Sequence, residues 1–214
     1  MRRAALAIAA AAAAFVPVSA ASPLPRVQAQ AYLVRASIGG EVLAQRAADE
    51  RRPVASITKL MTVLVALERS SLEDVVVVTP AAAGIGESTV SLEPGERLTV
   101  RDLAIAALVP SANDAAMALA LYVGGGSVSR FVALMNAKAR ALGLRRTSFR
   151  NPHGLDQPGH VSTARDTARL LTAALRDPFI RVWAGRRTAT IAGGRKLRST
   201  DDLIGRFPRF VGGK

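Results

Sequence analysis

The sequence predicts an α+β fold in which a helical region is inserted between strands from the two ends of the chain. Short β-branched runs flank glycine turns near both ends, apolar residues recur at helical spacing between them, and half of the 214 residues are hydrophobic. A chain of this size can bury one substantial core. Strands that precede and follow a block of helices are typical of α+β proteins, and we expect both sets to share one central antiparallel sheet.

The first 21 residues have the pattern of a secretory signal peptide. Arg2 and Arg3 precede an uncharged apolar run from Ala4 to Val16, and small residues at 18–20 suit a cleavage site. The alternative, an uncleaved membrane anchor, needs roughly 20 apolar residues, more than this run holds. We therefore expect an exported protein, in the periplasm or at the outer face of the plasma membrane and cell wall, with one mature domain over 22–214.

Composition narrows the classes of function. The chain has no cysteine, which excludes disulfides, thiol catalysis and cysteine-based metal sites. Its net charge of +13 reflects a bias towards arginine, or else attraction to anionic polymers of the cell envelope. Nucleic acid is a poor partner because the arginines are dispersed, aromatic residues make up only 4% and an export signal comes first.

The N-terminal third predicts a hairpin, a helix and a strand. Strand-like runs within 31–47 flank Gly39-Gly40, a pair that suits tight turns. Apolar residues at i, i+3, i+4 and i+7 from Leu60 predict a helix from Ser56 to Arg69. A short strand is expected from Val75 to Val78, ending before Pro80.

The middle of the chain predicts four helices. Two of their starts carry a threonine followed three residues later by aspartate, which is the spacing of an N-terminal capping pair. The predicted helices run from the Thr99–Asp102 pair to Leu108, from Asp114 to Val123, from a cap at Ser127 or Ser129 to near Gly143, and from the Thr163–Asp166 pair to a point before Pro178.

The C-terminal part returns to strand patterns. Runs at Thr188–Ile191 and Lys196–Ser199 flank Ala192-Gly193-Gly194-Arg195 and predict a second hairpin. Residues 207–213 read as the start of a further strand.

One motif could carry nucleophilic catalysis. Ser56-Ile57-Thr58-Lys59 has the form S-x-x-K, and residues at i and i+3 share a helix face. A serine hydroxyl needs a neighbouring base, and a buried lysine can lose its proton, whereas arginine cannot. Lysine occupies only four positions in this arginine-rich chain, which draws attention to Lys59 and Lys214. The alternative is a solvated serine and lysine on a surface helix, against which the surrounding apolar run argues.

Two further motifs follow along the chain. Ser111-Ala112-Asn113 has the form S-x-N and lies on the predicted turn after Pro110. Ser111 could join a proton relay, or it could simply cap the next helix, and these two roles are compatible. Lys214 ends the run Val211-Gly212-Gly213-Lys214, whose glycines would let a substrate approach an edge strand; the alternative is an arbitrary terminal lysine.

S-x-x-K, an S-x-N-type triplet and K-T-G are a motif set of class A β-lactamases and penicillin-binding proteins. Here the first two stand in order, and Lys214 is the first residue of the third. Four segments sharpen the likeness: PVASITKLM at Pro53–Met61, LVPSANDA at Leu108–Ala115, NPHGLDQPGHVSTARD at Asn151–Asp166 and FVGGK at Phe210–Lys214. Over roughly residues 30–214 the chain resembles the D-alanyl-D-alanine carboxypeptidases, low-molecular-mass penicillin-binding proteins that act as serine DD-peptidases. The resemblance implies a β-lactamase/DD-peptidase-like fold, peptidoglycan stem peptides as substrates and β-lactam antibiotics as inhibitors. We expect no cofactor and no metal ion.

The resemblance also implies roles for single residues. Ser56 is the nucleophile, Lys59 its general base, Ser111 a member of the proton network, and Asn113 and Lys214 bind the substrate. We expect His153 to be a structural residue of its turn, with a direct catalytic role as the less favoured alternative, and Asp166 to be a helix cap.

Two other functions remain to be weighed. A class A β-lactamase shares the first and third motifs but needs a glutamate after the S-x-N triplet, and the last glutamate of this chain is Glu96. The other alternative is a non-catalytic wall-binding homologue. The family pattern continues past the lysine with Thr-Gly and further strands, so we expect the catalytic domain to be truncated at the third motif. A membrane-surface association would then lie in a C-terminal part beyond it.

Overall fold

The computed structural model describes residues 27–36, 38–206 and 212. Seven α-helices lie in this part of the chain: α1 (Thr58–Leu67), α2 (Pro80–Ala83), α3 (Val100–Leu108), α4 (Asn113–Val123), α5 (Val128–Ala141), α6 (Ala164–Ala174) and α7 (Pro178–Ala184). Six strands accompany them: β1 (Tyr32–Arg35), β2 (Val42–Arg46), β3 (Val75–Val77), β4 (Arg97–Thr99), β5 (Thr188–Ile191) and β6 (Arg195–Arg198). Two 3-10 helices, at Ala55–Ile57 and Ala192–Gly194, complete the elements.

The strands form three separate antiparallel pairs among the described residues: β1 with β2, β3 with β4, and β5 with β6. The first and third pairs are the two hairpins that the sequence predicts, and Gly39 and Gly40 have the positive φ that their turn requires. The strand predicted at 207–213 lies outside the described residues except for Gly212. The single central sheet therefore stays a prediction.

Helix α1 lies at the centre of the core. Every residue from Thr58 to Ala66 is buried, and the helix contacts α3, α4, α5 and α6. Such burial suits the apolar sequence from Leu60 to Leu67, because a helix surrounded by neighbours needs apolar side chains on all sides. Four of the eight buried residues of α4 are alanines, whose small side chains suit close packing against α1.

The helix starts confirm the capping predictions for α3, α5 and α6 but not for α4, where Ala112 is the N-cap and Ser111 makes no capping bond. Thr99 and Asp102 form a reciprocal capping box at the start of α3. Ser127, rather than Ser129, caps α5 by accepting from the backbone of Arg130. Thr163 caps α6 by accepting from the backbone N–H of Asp166, as expected.

Three short elements were not predicted, and one predicted helix differs at both ends. These elements are β4, α2 and α7, which are too short for their apolar residues to show a clear helix or strand spacing. The helix expected from Ser56 to Arg69 is an α-helix only over Thr58–Leu67, and Ser56 lies in the preceding 3-10 turn. Ala55 has φ +45° and so cannot continue an α-helix in the N-terminal direction.

The expected signal peptide lies outside the described residues, so it stays a prediction. In the part of the chain that the structure does describe, no single helix is long and apolar enough to cross a bilayer; α4 and α5 pass a length and composition test only as a pair bent by 91°.

Candidate active site

Ser56 is held by a tight turn directly before α1. The turn depends on close packing with Gly154, because a Cβ atom at that glycine would lie 2.0 Å from the carbonyl oxygen of Ala55 and 3.1 Å from the backbone nitrogen of Ser56. Gly154 also has φ +96°, a conformation that side chains rarely adopt. Only glycine fits here, so the sequence His153-Gly154 fixes the distance between the 151–160 loop and the serine.

Lys59 is fully buried and contacts the serine. Its Nζ donates to the Oγ of Ser56 at 3.1 Å and to the backbone carbonyl of His153 at 2.6 Å. The side chain is 0% exposed, so these two contacts replace the water that normally solvates an ammonium group. The geometry places a nitrogen base within hydrogen-bond reach of a hydroxyl, as nucleophilic catalysis requires.

Burial lowers the pKa of Lys59 to about 8, because the cation loses hydration. The negative charges of Asp114 and Glu87 act in the opposite direction and raise this pKa. The balance leaves an amine that is neutral in an appreciable fraction of molecules near neutral pH. A strongly shifted lysine beside a serine is a reasonable indicator of a functional site.

The 151–160 loop packs against Ser56 and Lys59 and contacts α1 through its backbone. The carboxamide oxygen of Asn151 accepts from the N–H of Gly154 at 2.7 Å, and Thr62 in α1 donates to the carbonyl of Pro152 at 2.6 Å. His153 contributes its carbonyl to Lys59, while its ring Nδ1 accepts from the N–H of Leu155. Burial and the charge of Lys59 lower the pKa of His153 to about 4, so its ring is neutral.

His160 fastens the end of this loop to α1. The N–H of Arg150 donates to its Nδ1 at 3.0 Å, so the proton resides on Nε2, which lies 2.7 Å from the hydroxyl oxygen of Thr58. Burial lowers the pKa of His160 as well and keeps the ring neutral. Thr58 lies between Ser56 and Lys59 in sequence, so this contact restrains the turn that carries both.

The S-x-N motif forms a strained, buried turn before α4. Ser111 has φ +68°, is buried, and its Oγ has no hydrogen-bond partner among the described residues. Asn113 is buried too, and its Nδ2 donates to the carbonyl of Gly86 at 3.1 Å. Strained residues and unpaired buried hydroxyls both cost free energy, and both concentrate at functional sites.

Asp114 joins this turn to the base. It is fully buried, and its carboxylate accepts from the backbone N–H groups of Val90 and Leu92, each at 3.1 Å. Its charge is close enough to raise the pKa of Lys59.

The structure thus brings Ser56 and Lys59 into direct contact, and the charge of Asp114, the residue after Asn113, raises the pKa of Lys59. Lys214 lies outside the described residues, so its place in the site stays a prediction. Sequence reasoning missed Asp114, Gly154 and the Thr58–His160 contact. The expectation that Asp166 caps α6 is wrong, because Thr163 is the cap; the Asp166 carboxylate instead accepts from the backbone N–H of Arg146 and from the hydroxyl of Thr147.

Comparisons with known proteins identify the family to which the sequence is similar. The sequence model of the D-alanyl-D-alanine carboxypeptidase family matches residues 17–205. The chain is 42% identical over 164 residues to the D-alanyl-D-alanine carboxypeptidase DacC of Escherichia coli, covering 72% of this chain and 41% of that protein. It is 36% identical over 197 residues to DacB2 of Mycobacterium tuberculosis, covering 90% of this chain and 67% of that relative.

The fold agrees as well. The crystal structure of a D-alanyl-D-alanine carboxypeptidase from Mycobacterium tuberculosis superposes with a TM-score of 0.85 at 35% sequence identity, covering 92% of this chain and 75% of the other. This match confirms the expected DD-peptidase-like fold class. The chain spans less than half the length of its Escherichia coli relative. Because the family match extends over most of the sequence, the chain belongs to the D-alanyl-D-alanine carboxypeptidase family.

Proposed function

We propose that this chain carries the catalytic site of a serine-type D-alanyl-D-alanine carboxypeptidase. The contact between the Oγ of Ser56 and the Nζ of Lys59, at 3.1 Å, is the observation that supports it most directly. Lys59 is fully buried, and its pKa is lowered to about 8. A fraction of this side chain is therefore neutral near pH 7, and the neutral form is the one that can take a proton.

Acylation begins at the carbonyl between the two terminal D-alanines of a peptidoglycan stem peptide. Neutral Lys59 takes the proton of Ser56 as Oγ attacks this carbon, and the amide bond then breaks. The departing D-alanine amine receives a proton from the Lys59 ammonium, directly or through Ser111. The products of this step are free D-alanine and an ester of Ser56 with the shortened peptide.

Three residues bind or relay around this pair in our proposal. The buried hydroxyl of Ser111 has no partner among the described residues and is available to relay the proton. The carboxamide of Asn113 holds the amide of the peptide backbone. Lys214 supplies the positive charge that recognises the terminal carboxylate of the substrate.

Deacylation uses water and regenerates the serine. Lys59 removes a proton from the water as it attacks the ester carbon, the bond to Ser56 Oγ breaks, and the Lys59 ammonium returns the proton to this oxygen. A class A β-lactamase would use a glutamate after the S-x-N triplet for this step, and no glutamate follows Glu96. A β-lactam would acylate the same serine because its strained amide resembles the scissile one.

The biological setting follows from the same proposal. The substrate lies in the cell wall, so the signal-like residues 1–21 would export the protein to the periplasm or to the outer face of the plasma membrane. Its partners would be peptidoglycan stem peptides and β-lactam antibiotics.

Release of D-alanine tests the function. The full protein that carries this chain is incubated with a synthetic peptide ending in D-Ala-D-Ala, and free D-alanine is measured. We expect release by the wild type and by Ser129→Ala, which changes an exposed serine at the start of α5. Ser56→Ala should release none, and activity that survives this substitution would contradict the assignment of the nucleophile.

A further inference from the structure

Residues 86–92 form a strap that is fastened to the S-x-N turn. The carbonyl of Gly86 accepts from the side chain of Asn113 at 3.1 Å, and the carbonyl of Ser88 accepts from the backbone N–H of the same asparagine at 2.6 Å. Further along, the N–H groups of the strap bind the buried carboxylate of Asp114. The strap is therefore a fixed wall beside the residue that we assign to the peptide amide.

Glu87 lies between the two points of attachment in a strained conformation. Its φ is +64°, which glycine adopts freely but which costs about 1 kcal/mol or more for a residue with a long side chain. The bonds from Asn113 to the residues on either side hold it there. Strain of this kind persists where the surrounding structure imposes it, and it is common at sites that clamp a ligand.

The carboxylate of Glu87 is exposed and has no ion pair or hydrogen bond among the described residues. This is notable because basic residues outnumber acidic ones by 29 to 16 in the chain. The negative charge of Glu87 nevertheless acts on the proposed base, because it raises the pKa of Lys59. The strap thus presents a negative charge that has no partner among the described residues, on a backbone segment that is bonded to Asn113 on both sides of Glu87.

Building on the proposed carboxypeptidase function, we infer that Glu87 is a specificity-determining residue that selects stem peptides whose residue before the terminal D-alanines carries a free amine. Asn113 would hold the amide next to the bond that Ser56 attacks. In this arrangement, the peptide residue before the two terminal D-alanines extends its side chain along the strap, towards Glu87. A cationic amine on that side chain would pair with the carboxylate, whereas an acylated amine would not.

Two tripeptides separate these cases. Nα-acetyl-L-Lys-D-Ala-D-Ala has a free side-chain amine, and Nα,Nε-diacetyl-L-Lys-D-Ala-D-Ala has none, while the scissile bond is the same in both. We expect the wild type to have a kcat/KM about two- to fivefold higher for the free amine, the range of an exposed ion pair. Raising the salt concentration should reduce this ratio, because salt screens exposed charges.

The variants assign the effect to one residue. Glu87→Gln should bring the ratio close to one and abolish its salt dependence, and Glu87→Lys should favour the diacetylated peptide. Glu93→Gln removes the same charge from an exposed position just beyond the strap and should keep the wild-type ratio. If Glu87→Gln unfolds, as a melting curve would show, Glu87→Asn serves instead, because asparagine tolerates the same backbone conformation.

The outcomes distinguish this inference from the proposed function. A wild-type ratio of one, or a preference that Glu87→Gln retains, overturns the inference while D-alanine release still supports a carboxypeptidase. If the wild type hydrolyses neither peptide, the proposed function fails. The same ratio is then measured as competition of the two peptides with fluorescent penicillin, and equal competition overturns the inference too.

Discussion

Replacing Lys59 by arginine tests whether an uncharged amine activates Ser56. Arginine keeps the positive charge and approximate length of the side chain, but it stays protonated throughout the accessible pH range. Its guanidinium could still donate to the carbonyl of His153, as Lys59 does. The substitution therefore removes base chemistry while it keeps a buried cation in place.

The size of the effect follows from the pKa of Lys59. With a pKa of about 8, about one Lys59 side chain in ten is neutral at pH 7. At the ordinary value of 10.5 only roughly one in 3,000 would be neutral. The lowered pKa therefore raises the population of the neutral form at pH 7 by about 300-fold, and the neutral fraction still rises with pH, to about one half at pH 8 and about nine tenths at pH 9.

The assay is the rate of Ser56 acylation by a fluorescent penicillin between pH 6 and 9. We expect the wild-type rate to rise about tenfold per pH unit at first, to reach half of its maximum near pH 8 and to level off towards pH 9. Lys59→Arg should slow labelling by at least about a hundredfold, since general base catalysis contributes roughly 10²–10⁴. Lys138→Arg is the matched control, because Lys138 forms a surface ion pair with Glu68.

Two results would refute this reasoning. Labelling of Lys59→Arg at near the wild-type rate would show that Lys59 is not the base, and Ser111 or a bound water would take its place. A wild-type rate that does not change between pH 6 and 9 would show that no group with a pKa of about 8 controls acylation.

Three further predictions concern the surroundings of the pair. Gly154→Ala should displace the turn that carries Ser56, because the new Cβ would lie 2.0 Å from a backbone oxygen, and labelling should fall at least tenfold. Gly126→Ala is the control: its new Cβ meets no atom within 4 Å, and this variant should be labelled normally. Asp114→Asn should shift the labelling profile to lower pH, because the loss of a negative charge lowers the pKa of Lys59; an unchanged or upward shift would count against the proposed charge coupling. Because burial lowers the pKa of both histidines below 6.5, the unfolded state binds more protons as the pH falls below that value, and the melting temperature should drop from pH 7 to pH 5. His160→Gln keeps a donor towards α1 without this titration and should reduce the drop; an equal drop would contradict the assignment.

Local interactions made several parts of the fold predictable. The capping box of α3 involves residues three positions apart, and the turn of the first hairpin carries two glycines in adjacent positions. The Ser56–Lys59 contact is local in the same sense, because one turn of chain separates the two residues. Such features depend on side-chain chemistry and on spacing, both of which the sequence displays directly.

Contacts between distant segments could not be predicted in the same way. Thr58 and His160 are 102 positions apart, and nothing in either neighbourhood identifies the other as its partner. The close approach of Gly154 to Ala55 also depends on how the loop packs against α1. In the sequence, Asp114 is an acidic residue in the first turn of α4, which is common at helix starts. Its bonds to the backbone of residues 90–92 and its effect on the pKa of Lys59 depend on the fold.

The central claim is that Ser56 is the acylated nucleophile, and mapping a penicillin adduct tests it most directly. The full protein is treated with benzylpenicillin, digested with trypsin and analysed by mass spectrometry. The peptide 52–59 contains Ser56 as its only serine and ends at Lys59, where trypsin cleaves. We expect this peptide to gain the intact mass of the antibiotic, because ring opening loses no atoms, and the same peptide of Ser56→Ala to gain none. An adduct on another peptide, or one that persists in Ser56→Ala, would contradict the account.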